Sequence, residues 1–226
     1  MSILSYAVIA VAAYLLGSIP TGYLAARAKG IDIRNVGSGN IGATNAMRAL
    51  GKAAGIFVLL IDAFKGYAAC AFLAPLIFNW FAPHSSGLFR YFHDEPVELQ
   101  IRFCAVAGIF VVLGHNFTCW LKFKGGKGVA TSAGVFLALT PLALGIALGV
   151  WVIVFAVGRY VSVASMAAAV ALPATVWLTP NGLALRLVTT ALGLLVIARH
   201  KGNIERLSRG TERRFGAKTA TAEVTK

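Results

Sequence analysis

VATSAGVFLALTPLALGIALGVWVIVFAV, residues 129–157, runs for 29 positions without a charged side chain. A bilayer crossing needs about 20 apolar residues, so this run is long for one crossing and short for two. Thr140-Pro141 interrupts it. Proline removes a backbone donor and disfavours helix at the residue before it. The run therefore predicts two pieces, Val129–Leu139 and Leu142–Val157, and how they are counted decides the topology.

The rest of the chain points to the same solvent. Hydrophobic residues make up 58% of the 226 positions and charged residues 13%, far too little charge for a water-soluble domain. Further apolar segments run over Leu4–Ala26, Ala53–Phe78, Ile101–Phe117, Val161–Leu178 and Leu183–Ala198. None of the long runs alternates with period 2, which argues against a transmembrane barrel. The first run stays apolar through Gly17-Ser18-Ile19-Pro20, longer than a signal-peptide core, and reads as a retained helix. Cys70, Cys104 and Cys119 lack paired spacing and read as buried thiols, neither a disulfide nor a zinc site. The chain reads as an all-α integral membrane protein, with a membrane domain over 1–205 and a basic, poorly ordered tail over 206–226.

Charge supplies the orientation. The net charge is +13, but its distribution excludes a nucleic-acid reading. Sixteen of the 21 basic residues fall in three regions: Arg27–Lys52, Lys122–Lys127 and Arg199–Lys226. The segment Asn79–Gln100 instead carries Asp94, Glu95 and Glu98 with a single arginine. The positive-inside rule puts the basic regions in the cytoplasm and the acidic loop outside, with anionic lipid accounting for part of the positive charge. Placing all three basic regions on one face requires the split at Thr140-Pro141. The expectation is a seven-helix bundle with the N-terminus outside and the C-terminus cytoplasmic. Five crossings is the alternative, if 129–178 crosses twice as long helices.

The chemistry concentrates in the three basic loops. In the first, small residues at Gly37, Ser38, Gly39, Gly42 and Ala43 let backbone N–H groups converge on an anion. Asn40, Thr44 and Asn45 add neutral donors, and Arg48 adds a planar charged fork suited to phosphate. In the second, His115-Asn116 at a membrane edge leads to Gly125-Gly126-Lys127-Gly128. It resembles a nucleotide loop but lacks the preceding strand and the Ser/Thr after the lysine. Its flexible N–H groups, its lysine, and Thr131 and Ser132 at a helix start share the same anion physics. The third offers His200 and Asn203 on one helical face, with Glu205 placed to orient a cation such as Arg48 or Lys127. Inside an apolar segment, Asp62 and Lys65 fall one helical turn apart. An intramembrane charge is costly unless paired, so this pair either locks helices together or, the reading favoured here, shapes the site without taking part in the chemistry.

GSIPTGYL, GSGNIGATNAMR, the Asp62–Lys65 segment, GHNF, FKGGKGVAT and GNIERL, in this order from Gly17 almost to Gly210, closely resemble the motifs of the bacterial acyl-phosphate-dependent glycerol-3-phosphate acyltransferases, the PlsY family. The resemblance implies a seven-helix fold in the inner membrane with the site facing the cytoplasm. It implies acyl transfer from acyl phosphate to the 1-hydroxyl of sn-glycerol 3-phosphate, with no cofactor, metal or nucleic-acid partner. Membrane lipids surround the bundle. Ser38, Arg48, Lys127, His200, Asn203 and Glu205 are then the catalytic candidates. Gly37, Gly39, Asn40, Thr44, Asn45, Lys65, His115, Asn116, Gly125, Gly126, Gly128, Thr131 and Ser132 are the substrate-binding candidates. Ser38 is open between hydrogen-bond donor and nucleophile, and the proton between His200 and the substrate's own phosphate. An organic-phosphate transporter is the alternative.

Overall fold

The computed structural model describes residues 2–81 and 97–216. Most of the acidic loop, 82–96, and the end of the tail, 217–226, lie outside the described residues. The first part holds α1 (Ile3–Ser18), α2 (Thr21–Arg27), α3 (Ala43–Leu50), α4 (Lys52–Ala68) and α5 (Ala74–Phe81). A π-helical turn, Ala69–Leu73, joins α4 to α5. The second holds α6 (Val97–Asn116), α7 (Val129–Leu139), α8 (Pro141–Gly158), α9 (Val161–Leu178), α10 (Leu183–Arg199) and α11 (Lys201–Ser208).

Local chemistry sets these boundaries. Gly51 separates α3 from α4 at φ +97°, a conformation that favours a residue without Cβ. Pro141 is the first residue of α8, where its missing N–H is no loss. The break at Thr140-Pro141 therefore falls where the sequence puts it.

The seven-crossing bundle is not what the chain builds. Among the described residues, five helical stretches are long and apolar enough to span: Ile3–Arg27, Lys52–Phe81, Glu98–Leu121, Pro141–Gly158 and Val161–Leu178. A sixth arises if α10 and α11, bent by 52°, count as one span. The crossing missing from both counts is α7, and α10 is missing as well from the count of five. The 11 residues of α7 reach about 16 Å, roughly half of a hydrocarbon core. The charge argument counted crossings by parity, whereas helix length and shielding by protein decide them. The sidedness of the termini rested on that parity and loses its basis.

Shielding comes from close helix pairs. α1 packs on α6, α4 on α7, α8 on α9, and α9 on α10. Glycines make two of these contacts possible. A Cβ on Gly134 would strike the Ala63 carbonyl oxygen, and one on Gly66 the Thr131 carbonyl oxygen, so α4 and α7 touch backbone to backbone. The α1–α6 pair is made the same way, Gly17 against Val111 and Gly114 against Tyr14. Small residues at helix contacts are the means by which membrane helices gain packing where burial in lipid gives little. These contacts carry the ends of α2, α6 and α10, and the loops attached to them, to one end of the bundle.

Candidate active site

The first loop is shaped by one side chain. Asn45, 2% exposed, donates through Nδ2 to the carbonyls of Asn40 at 2.8 Å, Val36 at 2.9 Å and Ile33 at 3.3 Å. Its Oδ1 accepts from the Ser38 N–H at 2.9 Å. Gly37 and Gly39 hold φ +63° and +69°, and Asn40 Oδ1 accepts from the Gly42 N–H at 2.8 Å. The loop is thereby folded onto the start of α3 and presents Ser38, Thr44 and Arg48 to a cavity. Asn45 acts as a staple, because its amide is already engaged within the protein.

The second loop is tied down in a similar way. The N–H of Gly125 donates to the Asn116 carbonyl at 3.1 Å and that of Gly126 to the His115 carbonyl at 3.0 Å. Arg199 at the end of α10 donates to the Gly125 and Gly126 carbonyls at 3.0 to 3.3 Å. The two glycine N–H groups therefore face protein carbonyls. What the loop offers the cavity is Lys127, together with the first turn of α7 beyond Gly128. The first N–H groups of a helix have no partner within it and favour an anion. Near that turn, the Asn116 amide and the Thr131 and Ser132 hydroxyls are buried without a hydrogen-bond partner among the described residues.

The third loop meets the second directly. Lys127 Nζ donates to Asn203 Oδ1. Asn203 Nδ2 donates in turn to Glu212 Oε1 at 2.6 Å. Glu212 also accepts from Arg206 Nε at 2.7 Å and Ser162 Oγ at 2.8 Å. His200, 3% exposed, places Nδ1 2.7 Å from the Val196 carbonyl. A carbonyl only accepts, so Nδ1 carries the proton and Nε2 keeps a free lone pair. Glu205 is exposed and does not line the cavity. The carboxylate bonded to Asn203 is Glu212, from the segment read as tail. Sequence reasoning missed it because nothing local marks it. Its three partners come from α9 (Ser162) and α11 (Asn203 and Arg206), and only folding brings them together.

These groups share one cavity of about 810 Å³. Ser38, Arg48, Lys127, His200, Asn203, Arg206 and Glu212 line its polar end. Leu144, Leu148, Trp151, Ala168 and Leu172, from α8 and α9, line the remainder as an apolar groove. Trp151 is held by a 3.3 Å bond from Nε1 to Ser165 Oγ. Of the substrate-binding candidates, Gly39, Asn116, Gly125, Gly126, Thr131 and Lys65 do not line the cavity, whereas His115 does, as does Asp62 beside it. Lys65 is 4% exposed.

Electrostatics favour an anion at the polar end. Burial pushes the Lys127 ammonium down to about 8; Glu212 opposes this, while Arg206, Arg48 and Arg199 reinforce it. Burial raises the Glu212 carboxyl, but the bonds from Asn203, Arg206 and Ser162 outweigh burial and hold it below its ordinary value. The site is a half-buried cluster of cations around the Glu212 carboxylate, next to an apolar groove. That suits a ligand with a phosphate head and a hydrocarbon tail.

Comparison with known proteins agrees with this geometry. A family model described as glycerol-3-phosphate acyltransferase matches residues 7–210. A glycerol-3-phosphate acyltransferase of Trichlorobacter lovleyi is 44% identical over 205 residues, covering 91% of this chain and 95% of the relative. One from a Synechococcus strain is 45% identical over 207 residues, covering 91% and 92%. In three dimensions the chain is similar to the crystal structure of PlsY, an integral membrane glycerol 3-phosphate acyltransferase, in its glycerol 3-phosphate form. The TM-score is 0.79 at 37% identity, over 94% of this chain and 96% of that one. The lysophosphatidic acid form of the same protein gives a TM-score of 0.77 at 36% identity.

Proposed function

The chain belongs to the glycerol-3-phosphate acyltransferase family, and from that premise we propose how its cavity carries out the reaction. The enzyme transfers a fatty acyl group from acyl phosphate to the 1-hydroxyl of sn-glycerol 3-phosphate, giving lysophosphatidic acid and phosphate. It is a multi-pass membrane protein.

In our reading the acyl tail lies in the α8–α9 groove, and both phosphates sit at the polar end. Arg48 and Lys127 bind phosphate oxygens and neutralise the charge that develops as the carbonyl is attacked. Ser38 donates a hydrogen bond to a phosphate or carbonyl oxygen. Asn203 holds Lys127, and His200 accepts the hydrogen bond of the attacking hydroxyl at Nε2. The bond formed joins the glycerol oxygen to the acyl carbon, and the bond broken joins that carbon to the phosphate oxygen. Phosphate is a good leaving group from an activated donor, so orientation and charge stabilisation suffice without a covalent enzyme intermediate. The proton of the hydroxyl goes to Nε2 of His200 or to a phosphate oxygen, whose second pKa lies near 6. The clustering of basic residues in the three loops supports a site facing the cytoplasm.

The observation that carries this reading is the Lys127–Asn203 bond, which joins two distant loops where the polar end meets the apolar groove. Kinetics of the purified enzyme test it. Arg48→Ala is expected to lower kcat/KM at least about tenfold, the loss of about 1.4 kcal/mol of charged hydrogen bonding. His200→Gln is expected to lose the acidic limb of the pH–rate profile if Nε2 takes the proton, and to keep it if the phosphate does. An Arg48→Ala enzyme with wild-type kinetics removes Arg48 from the site.

A further inference from the structure

Asp62 and Lys65 present a physical problem that the reaction does not solve. Lys65 lies 13 residues after the start of α4 at Lys52, about 20 Å along the helix. The side chains are 3% and 4% exposed. Each buried charge costs several kcal/mol in desolvation, and apolar residues of similar volume stabilise a helix contact as well or better. A contact made for packing alone has no need of the pair.

The partners show what apolar residues lack. Lys65 Nζ donates to Asp62 Oδ1 at 2.8 Å, to the Ile19 carbonyl at 3.2 Å and to His115 Nδ1 at 2.9 Å. An ammonium has three protons, so none is left for a substrate. Asp62 Oδ1 also accepts from Thr21 Oγ1 at 3.1 Å. The pair thus joins α4 to the break between α1 and α2, and both to His115 near the end of α6. Because Lys65 donates to Nδ1, the imidazole proton sits on Nε2. The Nε2 edge of the ring is what Gly126 packs against. A Cβ on Gly126 would fall on Nε2, with Cε1 at 2.7 Å and Cδ2 at 3.0 Å. The His115 backbone carbonyl takes the Gly126 N–H at 3.0 Å. Ring and carbonyl together set the path of the chain at the residue before Lys127.

We infer that Asp62, Lys65 and His115 are positioning residues for the transfer: the buried ion pair orients His115, and His115 sets the turn that aims Lys127 at the substrate phosphate. This rests on Lys127 being the phosphate ligand. The three residues act through Lys127: Asp62 and His115 reach the wall of the cavity, whereas Lys65 does not.

The test replaces the pair by neutral groups of similar shape, Asp62→Asn with Lys65→Met, so that no unpaired charge is left buried. The thermal unfolding midpoint in detergent is expected to stay near wild type, while KM for glycerol 3-phosphate rises about tenfold. Adding Lys127→Ala to this double variant is expected to lose less than Lys127→Ala loses in the wild-type background, because the lysine is already misplaced. A double variant with wild-type KM, or losses that multiply independently, overturns the inference. A Lys127→Ala enzyme with unchanged kinetics instead overturns the reading of the site, which separates the two failures. Should the double variant not fold, His115 carries the same test. His115→Gln still reaches the position of Nε2 against Gly126 and is expected to retain most of the glycerol 3-phosphate affinity, whereas His115→Ala, which leaves that position empty, is expected to lose it. Equal KM values for the two overturn the inference.

Discussion

Lys127 ties the pH dependence of the enzyme to its structure. Its ammonium, pushed down to about 8 mainly by burial, is the form that binds phosphate in the proposed reading of the site. Lysine is charged below its pKa, so the interaction is lost as pH rises. About nine-tenths of the side chain is charged at pH 7 and about one-tenth at pH 9. If only the charged form is competent, kcat/KM falls about tenfold between those two values. The substrate does not cause this fall, since a phosphate monoester is already dianionic over that range. The assay is initial-rate kinetics at limiting glycerol 3-phosphate from pH 6 to pH 9.5, with spontaneous hydrolysis of acyl phosphate subtracted. At saturating substrate the limb is expected to move to higher pH, because a bound dianion holds the proton on the amine. Lys127→Arg provides the decisive comparison. A guanidinium stays charged throughout, so the variant is expected to lose the limb near 8 even though its absolute rate is lower. A flat wild-type profile, or the same limb in Lys127→Arg, refutes the reasoning.

Two further outcomes follow from particular contacts. Glu212→Gln weakens charge-assisted bonds from Asn203 and Arg206, each worth about 1.5–3 kcal/mol. It is expected to reduce kcat/KM at least about tenfold, whereas Glu205→Gln, at an exposed position outside the cavity, is expected to leave kinetics unchanged; the reverse order in parallel assays refutes the assignment. Gly134→Ala drives a Cβ into the Ala63 carbonyl and forces α4 and α7 apart, at about 1–3 kcal/mol for overpacking. Thermal unfolding in detergent is expected at a lower temperature, and an unchanged midpoint refutes the backbone contact.

Several features of the molecule are legible in the chain alone. The composition gives a helical membrane protein, because 58% hydrophobic content with 13% charge leaves no other solvent for the chain. The break at Thr140-Pro141 is legible because proline acts on its immediate neighbours. Short donors and cations in the three loops single out, through residue type alone, loops whose residues line one cavity. The motifs also carry enough information to assign the family, which the matches confirm.

Other features exist only in the fold. The number of spanning helices depends on whether neighbours shield α7, and no count of loop charges contains that. The division of roles inside the loops is also tertiary. Asn45 faces inward as a staple, the Gly125 and Gly126 N–H groups meet carbonyls of α6, and Lys65 is held on three partners. The carboxylate beside Asn203 is Glu212 and not Glu205. Residue type shows which hydrogen bonds a side chain is able to make. Which of them it makes is decided by groups elsewhere in the chain, up to 50 residues away for Lys65 and His115, brought into hydrogen-bond range only when the chain folds.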